Sequence, residues 1–425
     1  MNKLDSQLVT DALLAEGFEL TGNPEEADVI LFNTCSVRKH AEDRVFSNVG
    51  ALKHLKRRRP EVVIGIIGCM AQRAAGEIKR RLPHVDIICG PQDLPALPRL
   101  ITGHSGDSAT VVATEGSEIW PERMRDTRIS PASTFVSAMR GCNRFCSYCI
   151  VPYVRGRTRS RMLEDIVREA GELVAGGARE ITLLGQDVNA YKDEKGRRLW
   201  DVLGELAGIE GLGRLWFVTS HPATVERQLF EMMAEHPVIA PYLHLPAQSG
   251  SNRVLEAMKR GYTRSRYLEI IKEARAIVPG IEIASDFIVG FPGETDRDFH
   301  MTVDLFWRAK FQNCFVFKYS PRPGARSAKM DDDVPVEKKK ERNAILLSIQ
   351  KEIMEERHKE LEGAKFEVLV RGVSKRDASK LTGRTRTNRI VVFEGGESLA
   401  GRFVEVAVDS STPLTLFGHI AGEPY

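Results

Sequence analysis

Short apolar runs alternate with helical-period segments along most of this 425-residue chain, and that alternation limits its fold more than any other feature. Between Asp5 and about Leu100, "SQLVTDALLAEGFEL" spaces its apolar residues as a helix does, and "ADVILFNTC" reads as a short buried strand. "EDRVFSNVGALKHLKRR" is helical again, "VVIGIIGC" a second strand, "AAGEIKRRLP" a helix and "VDIICG" a third strand. Strands that are apolar on both faces and separated by amphipathic helices pack as a parallel sheet covered by those helices. Ligands of such sheets gather beyond the carboxyl ends of the strands, and Cys35, Cys69 and Cys89 fall at or near those ends.

The chain is too long for one hydrophobic core, so several domains are expected. "GHSGDSATVVATEG" is small and polar and "WPERMRDTRISPAS" carries two prolines, which makes 103–133 a connector after a first domain over 1–102. Over 134–360 the alternation resumes at larger scale. "TFVSAMRGC", "EITLLGQDVN", "RLWFVTS", "YLHLPAQSG", "EIASDFIVGFPGET" and "NCFVFKYS" are strands with helical segments between them, which predicts a full or partial (β/α) barrel. After a charged helix from about Val336 to Leu361 the texture changes. Over 361–425, "KFEVLVRGV", "RIVVFEG", "RFVEVAVDS" and "TLFGHIAG" alternate in steps of two between Gly-rich turns, the pattern of a small antiparallel β-barrel. The fold class is therefore α/β, with a parallel-sheet domain, a central partial (β/α) barrel and a C-terminal β-barrel.

Composition narrows the function. The longest apolar run, "VVIGIIGCMA", is about half of what a bilayer span needs, and no basic-then-apolar leader opens the chain, so a cytoplasmic protein with no membrane contact is expected. Seven unevenly spaced cysteines suit metal or redox chemistry better than a secreted disulfide framework. Net charge is only +3, but its distribution is uneven. "KHLKRRR" at Lys53–Arg59 reads as a solvated face. Between Arg371 and Arg389 seven Lys and Arg residues face one acid, Asp377, and that segment reads as a phosphate-contacting surface. Small β-barrels with basic faces commonly hold single-stranded or looped nucleic acid.

The densest chemistry lies in "RGCNRFCSYCIVPYVRGRTRSR". Cys142, Cys146 and Cys149 can wrap three thiolates around one face of an iron-sulfur cube, leaving one iron open to chelate a ligand. S-adenosylmethionine, held by its amino and carboxylate groups, is the cofactor whose chemistry uses such an iron. A zinc site completed by His221 or His244 is the alternative. Gln186, Asn189, Ser220, Gln248 and Asp286 follow barrel strands, where they contact the cofactor or brace loops. Arg155, Arg157 and Arg159 are placed to meet RNA phosphate or the cofactor carboxylate, or to form a solvated turn. Cys89 and Cys314 sit in apolar strand settings and read as core residues.

Together with "NTCSVRKHAEDR", "GCMAQR", "LLGQDVNAY", "HLPAQSGSNRVLEAMKRGY", "SDFIVGFPGET" and "LTGRTRTNRIVVF", the cysteine loop resembles the methylthiotransferase family of radical S-adenosylmethionine enzymes, and most closely its MiaB-type tRNA branch. The resemblance runs through the whole chain. It implies transfer of a methylthio group to C2 of N6-dimethylallyladenosine beside the tRNA anticodon. Threonylcarbamoyl-adenosine in tRNA, a ribosomal-protein aspartate, or tRNA binding without sulfur insertion stay open.

The resemblance also implies a radical-generating 4Fe-4S cluster on Cys142, Cys146 and Cys149, and a second, auxiliary 4Fe-4S cluster on three cysteines that include Cys35 and Cys69. S-adenosylmethionine would serve as methyl donor and radical source, and flavodoxin or ferredoxin as electron donor. A C-terminal TRAM domain would grip tRNA, through Lys375, Arg376, Arg384, Arg386 and Arg389 together with Arg155 and Arg157. Gly290, Gly293 and Glu294 resemble the strand end that lies against the cofactor. In the family the first auxiliary cysteine lies in a Gly-Cys-Gln-Met-Asn segment, and this sequence begins "MNKLDSQ", at the Met of that segment. The two expectations that follow are a start placed at an internal Met, or an auxiliary cluster short of one thiolate.

Overall fold

The computed structural model describes residues 1–34, 39–104, 109–116 and 131–425. Those residues fall into two compact units. One holds everything through the fourth strand together with Arg140–Phe145 and Cys149–Thr158; the other holds the strand before Met139, Cys146–Tyr148 and Arg159–Tyr425.

In the first unit the chain runs α1 (Asn2–Ala15), β1 (Val29–Thr34), α2 (Lys39–Ala51), α3 (Lys53–Arg58), β2 (Val63–Gly68), α4 (Cys69–Arg81), β3 (Ile87–Cys89), α5 (Leu97–Thr102) and β4 (Val111–Ala113), with a short α6 (Val151–Val154). The strands pair in parallel in the order β1-β2-β3-β4. Every residue of β2 is buried, as its unbroken apolar run requires. Successive side chains point to opposite faces, so Ile64 and Ile66 pack with Val49, Met70 and Ile78 on one side. Val63 and Ile67 pack with Val9, Leu97 and Ile101 on the other. Burying each of these isoleucines contributes about 1.5–3 kcal/mol. One correction concerns the connector: Val111–Ala113, inside the segment read as 103–133, is a strand paired with β3. A three-residue strand is too short to show a period in sequence.

The second unit begins with β5 (Ser133–Ser137); two short strands, β6 (Met139–Arg140) and β7 (Arg159–Ser160), flank the cysteine loop. There follow α7 (Leu163–Ala175), β8 (Glu180–Leu184), α8 (Leu199–Ala207), β9 (Arg214–Val218), α9 (Arg227–Glu235), β10 (Tyr242–His244), α10 (Asn252–Ala257), α11 (Arg264–Ile277), β11 (Glu282–Val289), α12 (Asp296–Ala309), β12 (Asn313–Lys318) and the long α13 (Val336–Lys359). Strands β5-β8-β9 and β10-β11-β12 form two three-stranded parallel sheets. A bridge from Leu215 to Ile239 and the bond from Ser220 N to His244 O connect them. Six parallel strands with outer helices make the expected partial barrel. Its main core joins Leu183, Phe217, Leu243 and Phe287 from the strands to Ile166, Leu203, Phe230 and Phe306 from the helices.

Five strands, β13 (Lys365–Val373), β14 (Lys380–Thr385), β15 (Ile390–Glu394), β16 (Phe403–Ser411) and β17 (Thr415–Ile420), close the C-terminal barrel in the order β13-β14-β15-β17-β16. Two features correct the sequence reading. β15 pairs with β17 in parallel, and β14 is a strand inside the segment read only as basic surface. Its Lys and Arg content hides an alternation in which Leu381, Gly383 and Thr385 point inward.

This barrel is fastened to the amino ends of the central strands. Arg214, the fully buried first residue of β9, reaches Glu180 of β8 at 3.3 Å and Glu367 of β13 at 2.8 Å. Glu282, first in β11, takes Arg357 at 2.7 Å and Arg389 at 2.5 Å. The opposite, carboxyl ends of the parallel strands are thereby left to the site. Among the described residues no helix is long and apolar enough to cross a membrane.

Candidate active site

The loop that carries the three cysteines is set by backbone geometry. Gly141 has φ +76°, and a Cβ there would lie 2.0 Å from Arg157 O, so only glycine fits. Cys142 N–H donates to Gly156 O at 3.2 Å, Arg144 N–H lies 3.5 Å from Cys142 Sγ, and Phe145 holds a left-handed φ of +47°. Cys142 and Cys146 are buried, Cys149 is half-buried, and no disulfide joins the described cysteines. Three thiols on one constrained loop form a soft donor set suited to iron-sulfur or zinc.

In the second unit, Cys146–Tyr148 is strapped to the end of α10. Ser147 N–H donates to Met258 O at 3.0 Å and its hydroxyl to Ala257 O at 2.8 Å. The guanidinium of Arg260, which follows α10, lies 3.5 Å from Cys146 Sγ. Spacing motifs do not single out this arginine; it sits 114 residues from its sulfur.

Cys69 begins α4 at the carboxyl end of β2. The preceding Gly68 has φ +94°, and a Cβ on it would meet Asn33 Oδ1 at 2.6 Å and Thr34 O at 2.8 Å. Arg155 Nε–H donates to Cys69 Sγ at 3.2 Å, while Arg155 Nη2 pairs with Asp5 Oδ2 at 2.6 Å. Arg140 also pairs with Asp5, at 3.2 Å. Burial pushes the Asp5 carboxyl up, but Arg155 and Arg140 more than offset it and hold it below its usual range. A guanidinium on a cysteine sulfur favours the thiolate, the form that binds metal. Cys35 lies outside the described residues.

Cys89 and Cys314 differ in kind. Burial, aided by Asp93, pushes the Cys89 thiol up to about 12, and burial raises the Cys314 thiol as well. Both sit in apolar clusters, as the sequence reading expects.

Near the carboxyl ends of the barrel strands the structure brings Asn189, Ser220, Gln248 and Asp286, the last of them inside β11 and not beyond it as the sequence suggested, into one chain of contacts. Asn189 Oδ1 accepts from His221 N–H at 2.7 Å and its amide donates back to His221 O at 3.1 Å. Ser220 N–H donates to His244 O at 3.1 Å, and Gln248 N–H to Asp286 O at 2.8 Å. His244 Nδ1 accepts from Thr219 N–H at 3.3 Å, so its proton sits on Nε2, 3.3 Å from Asp286 Oδ1. With both ring nitrogens engaged, His244 does not complete a zinc site, and no three Cys, His, Asp or Glu side chains among the described residues are arranged for a single metal ion.

Thr219 and Gln248 both have φ +70°. Such left-handed backbone in a β-branched residue is strained, and strain of this kind clusters at functional sites. The Ser220 hydroxyl is buried with no hydrogen-bond partner among the described residues, a costly state that a polar ligand would relieve. Gln186 is half-buried beyond β8. In "GFPGET", Gly290 N–H donates to Glu294 Oε1 at 3.0 Å and Arg342 pairs with Glu294 at 2.7 Å; burial raises this carboxyl to about 7. The donor chemistry of the three thiols suits an iron-sulfur cube, and the unpartnered Ser220 hydroxyl suits a polar ligand.

The basic residues divide. Arg155 and Arg389 are buried in ion pairs and are not phosphate contacts, a correction that follows from the carboxylates opposite them. Arg384 donates to Asn388 O at 2.8 Å, and Arg386 bonds Pro237 O on the central barrel, so both guanidinium groups are engaged within the protein. Lys375, Arg376, Arg157 and Arg159 are exposed, with Arg157 5.4 Å over the Phe145 ring.

Comparison with known proteins gives the family. The profile of the Radical SAM superfamily matches residues 136–306, that of the Uncharacterized protein family UPF0004 matches 1–90, and that of the TRAM domain matches 359–421. The chain is 44% identical to the tRNA-2-methylthio-N(6)-dimethylallyladenosine synthase of Carboxydothermus hydrogenoformans, over 98% of this chain and 96% of that protein. It is 43% identical to the proteins of that name from Syntrophomonas wolfei (100% and 96%) and Haemophilus influenzae (99% and 90%). Among solved structures, the radical S-adenosylmethionine methyltransferase TsrM from Kitasatospora setae superposes with a TM-score of 0.54 at 15% identity, over 74% of this chain and 69% of that one, a likeness of fold. Full-length identity at this level shows that the chain belongs to the tRNA-2-methylthio-N(6)-dimethylallyladenosine synthase family of radical S-adenosylmethionine methylthiotransferases.

Proposed function

We propose that this chain places a methylthio group on C2 of N6-dimethylallyladenosine beside the anticodon of tRNA. The observation that carries the proposal is the kinship over nearly the whole chain with synthases named for that nucleoside. Cys142, Cys146 and Cys149 would hold the 4Fe-4S cluster that the family uses with S-adenosylmethionine. Bound there, the pair supplies one-electron chemistry able to open an unactivated C–H bond. Ser220 and Gln186 contact S-adenosylmethionine, while Asn189, Gln248 and Asp286 hold the strand ends in place.

Cys69, with Cys35, contributes to an auxiliary 4Fe-4S cluster that carries the sulfur, and the Arg155 guanidinium sets a positive charge against the Cys69 sulfur. The domain over 1–102 extends to take in β4, the radical core spans 134–360, and the domain over 361–425 grips tRNA through Lys375 and Arg376, aided by Arg157. A low-potential donor of the flavodoxin or ferredoxin type in the cytoplasm supplies electrons. Mass spectrometry of tRNA nucleosides from a deletion strain tests the proposal. Loss of the methylthio-dimethylallyl nucleoside, restored by this gene, is expected; an unchanged profile overturns it.

A further inference from the structure

Arg260 is 5% exposed, and a guanidinium so buried is costly unless charge compensates it. Its partners are Pro246 O at 2.7 Å, Tyr262 Oη at 3.2 Å, Tyr148 Oη at 3.4 Å and Cys146 Sγ at 3.5 Å. Phenols, with ordinary pKa values near 10, are neutral at physiological pH, and a carbonyl carries only a dipole. No carboxylate among the described residues pairs with this side chain. Among its partners in the described residues, the Cys146 sulfur is the one that a bound iron-sulfur cluster would make part of an anion.

The backbone holds Arg260 firmly in that place. Lys259 has φ +57° and Gly261 φ +70°, and Arg260 N–H closes the end of α10 on Leu255 O at 2.9 Å. The same helix end receives both bonds from Ser147, so cation and sulfur are fixed to one support. Tyr262 Oη in turn donates to Ala247 O at 2.5 Å, which limits how far the guanidinium's neighbours can move.

We infer that Arg260 is the fixed positive countercharge of the iron-sulfur cluster held through Cys146, a positioning residue that sets the cluster's reduction potential. The inference rests on the proposed role of the three cysteines. Each electron added to a thiolate-ligated cube makes it more negative, and a desolvated cation beside a ligand sulfur favours that reduced form. Hydrogen bonds to the sulfurs act in the same direction.

The experiment is a redox titration of the anaerobically reconstituted full chain with a low-potential chemical reductant, followed by electron paramagnetic resonance. The signal that changes on adding S-adenosylmethionine is the one read, since that ligand is assigned to the cluster on Cys142, Cys146 and Cys149. In R260Q the ratio of reduced to oxidised cluster at a fixed potential is expected to fall about tenfold, a drop of about 59 mV for a one-electron couple. R260K, which keeps the charge, is expected to stay within about threefold of the wild-type ratio. Should R260Q fail to hold its cluster while R260K holds one of wild-type potential, the need for positive charge stands. An unshifted midpoint in R260Q, or equal loss of the cluster in both variants, overturns the inference. A wild-type protein with no responsive signal removes the functional proposal and this inference with it, whereas an unshifted R260Q removes this inference alone.

Discussion

Arg155 Nε–H donates to Cys69 Sγ across 3.2 Å and 86 residues of sequence, and the same guanidinium grips Asp5 at 2.6 Å. Asp5→Ala leaves Arg155 and Arg140 buried without their carboxylate. Breaking a buried pair in this way costs about 3–5 kcal/mol, read as a lower urea midpoint. The pH dependence has a definite sign. Because the folded Asp5 carboxyl lies below its ordinary 3.8, its contribution is complete above that value and fades as pH falls through the folded pKa. The gap between wild type and variant should therefore shrink in acid; a gap that stays constant there contradicts the assignment.

Gly141→Ala tests the loop. The new methyl group meets Arg157 O and the residue must keep φ +76°, so the loop has to move. The signal that responds to S-adenosylmethionine should fall severalfold after reconstitution, while far-ultraviolet circular dichroism stays that of the folded protein.

Thr219→Gly should stabilise the fold. Left-handed backbone costs a non-glycine residue about 1–2 kcal/mol, of which the greater freedom of glycine in the unfolded chain returns about 0.5–1. A net gain of between about 0 and 1.5 kcal/mol is expected by thermal melting. If the strain serves to fix the strand end, affinity for S-adenosylmethionine measured by calorimetry falls in the same variant.

The two kinds of arginine in the C-terminal barrel should separate cleanly. K375A/R376A is expected to weaken tRNA binding and lower the log–log salt slope by about one for each phosphate no longer neutralised, with no change in melting temperature. Arg389→Ala should do the reverse. It removes a buried ion pair, at somewhat less than the roughly 3–5 kcal/mol of a fully orphaned charge because Arg357 still serves Glu282.

Much of the scaffold could be read along the chain because it rests on local repeats. The unbroken run in β2 is apolar on both faces for the same reason that the strand is buried on both faces. Polar residues after strand ends placed Asn189, Ser220 and Gln248 on one edge of the barrel, whereas Asp286, read as following its strand, lies inside β11, where its backbone carbonyl accepts from Gln248 N–H. The three cysteines are close in sequence, so their loop needed no tertiary information. β4 and β14 escaped notice because one is too short for a period and the other is masked by basic residues on its outer face.

The sequence by itself determined the order of helices and strands, the parallel sheets and the spacing of Cys142, Cys146 and Cys149, since each is written in residues a few positions apart. Tertiary structure alone decided which charges are buried and by what. Arg155 looked like a phosphate contact until Asp5, 150 residues away, was found against it, and Arg389 looked like one until Glu282 was. Arg260 stood out only once Cys146 lay beside it. A charge leaves water only where a partner meets it, and a one-dimensional pattern does not carry the identity of a partner that arrives from a distant part of the chain.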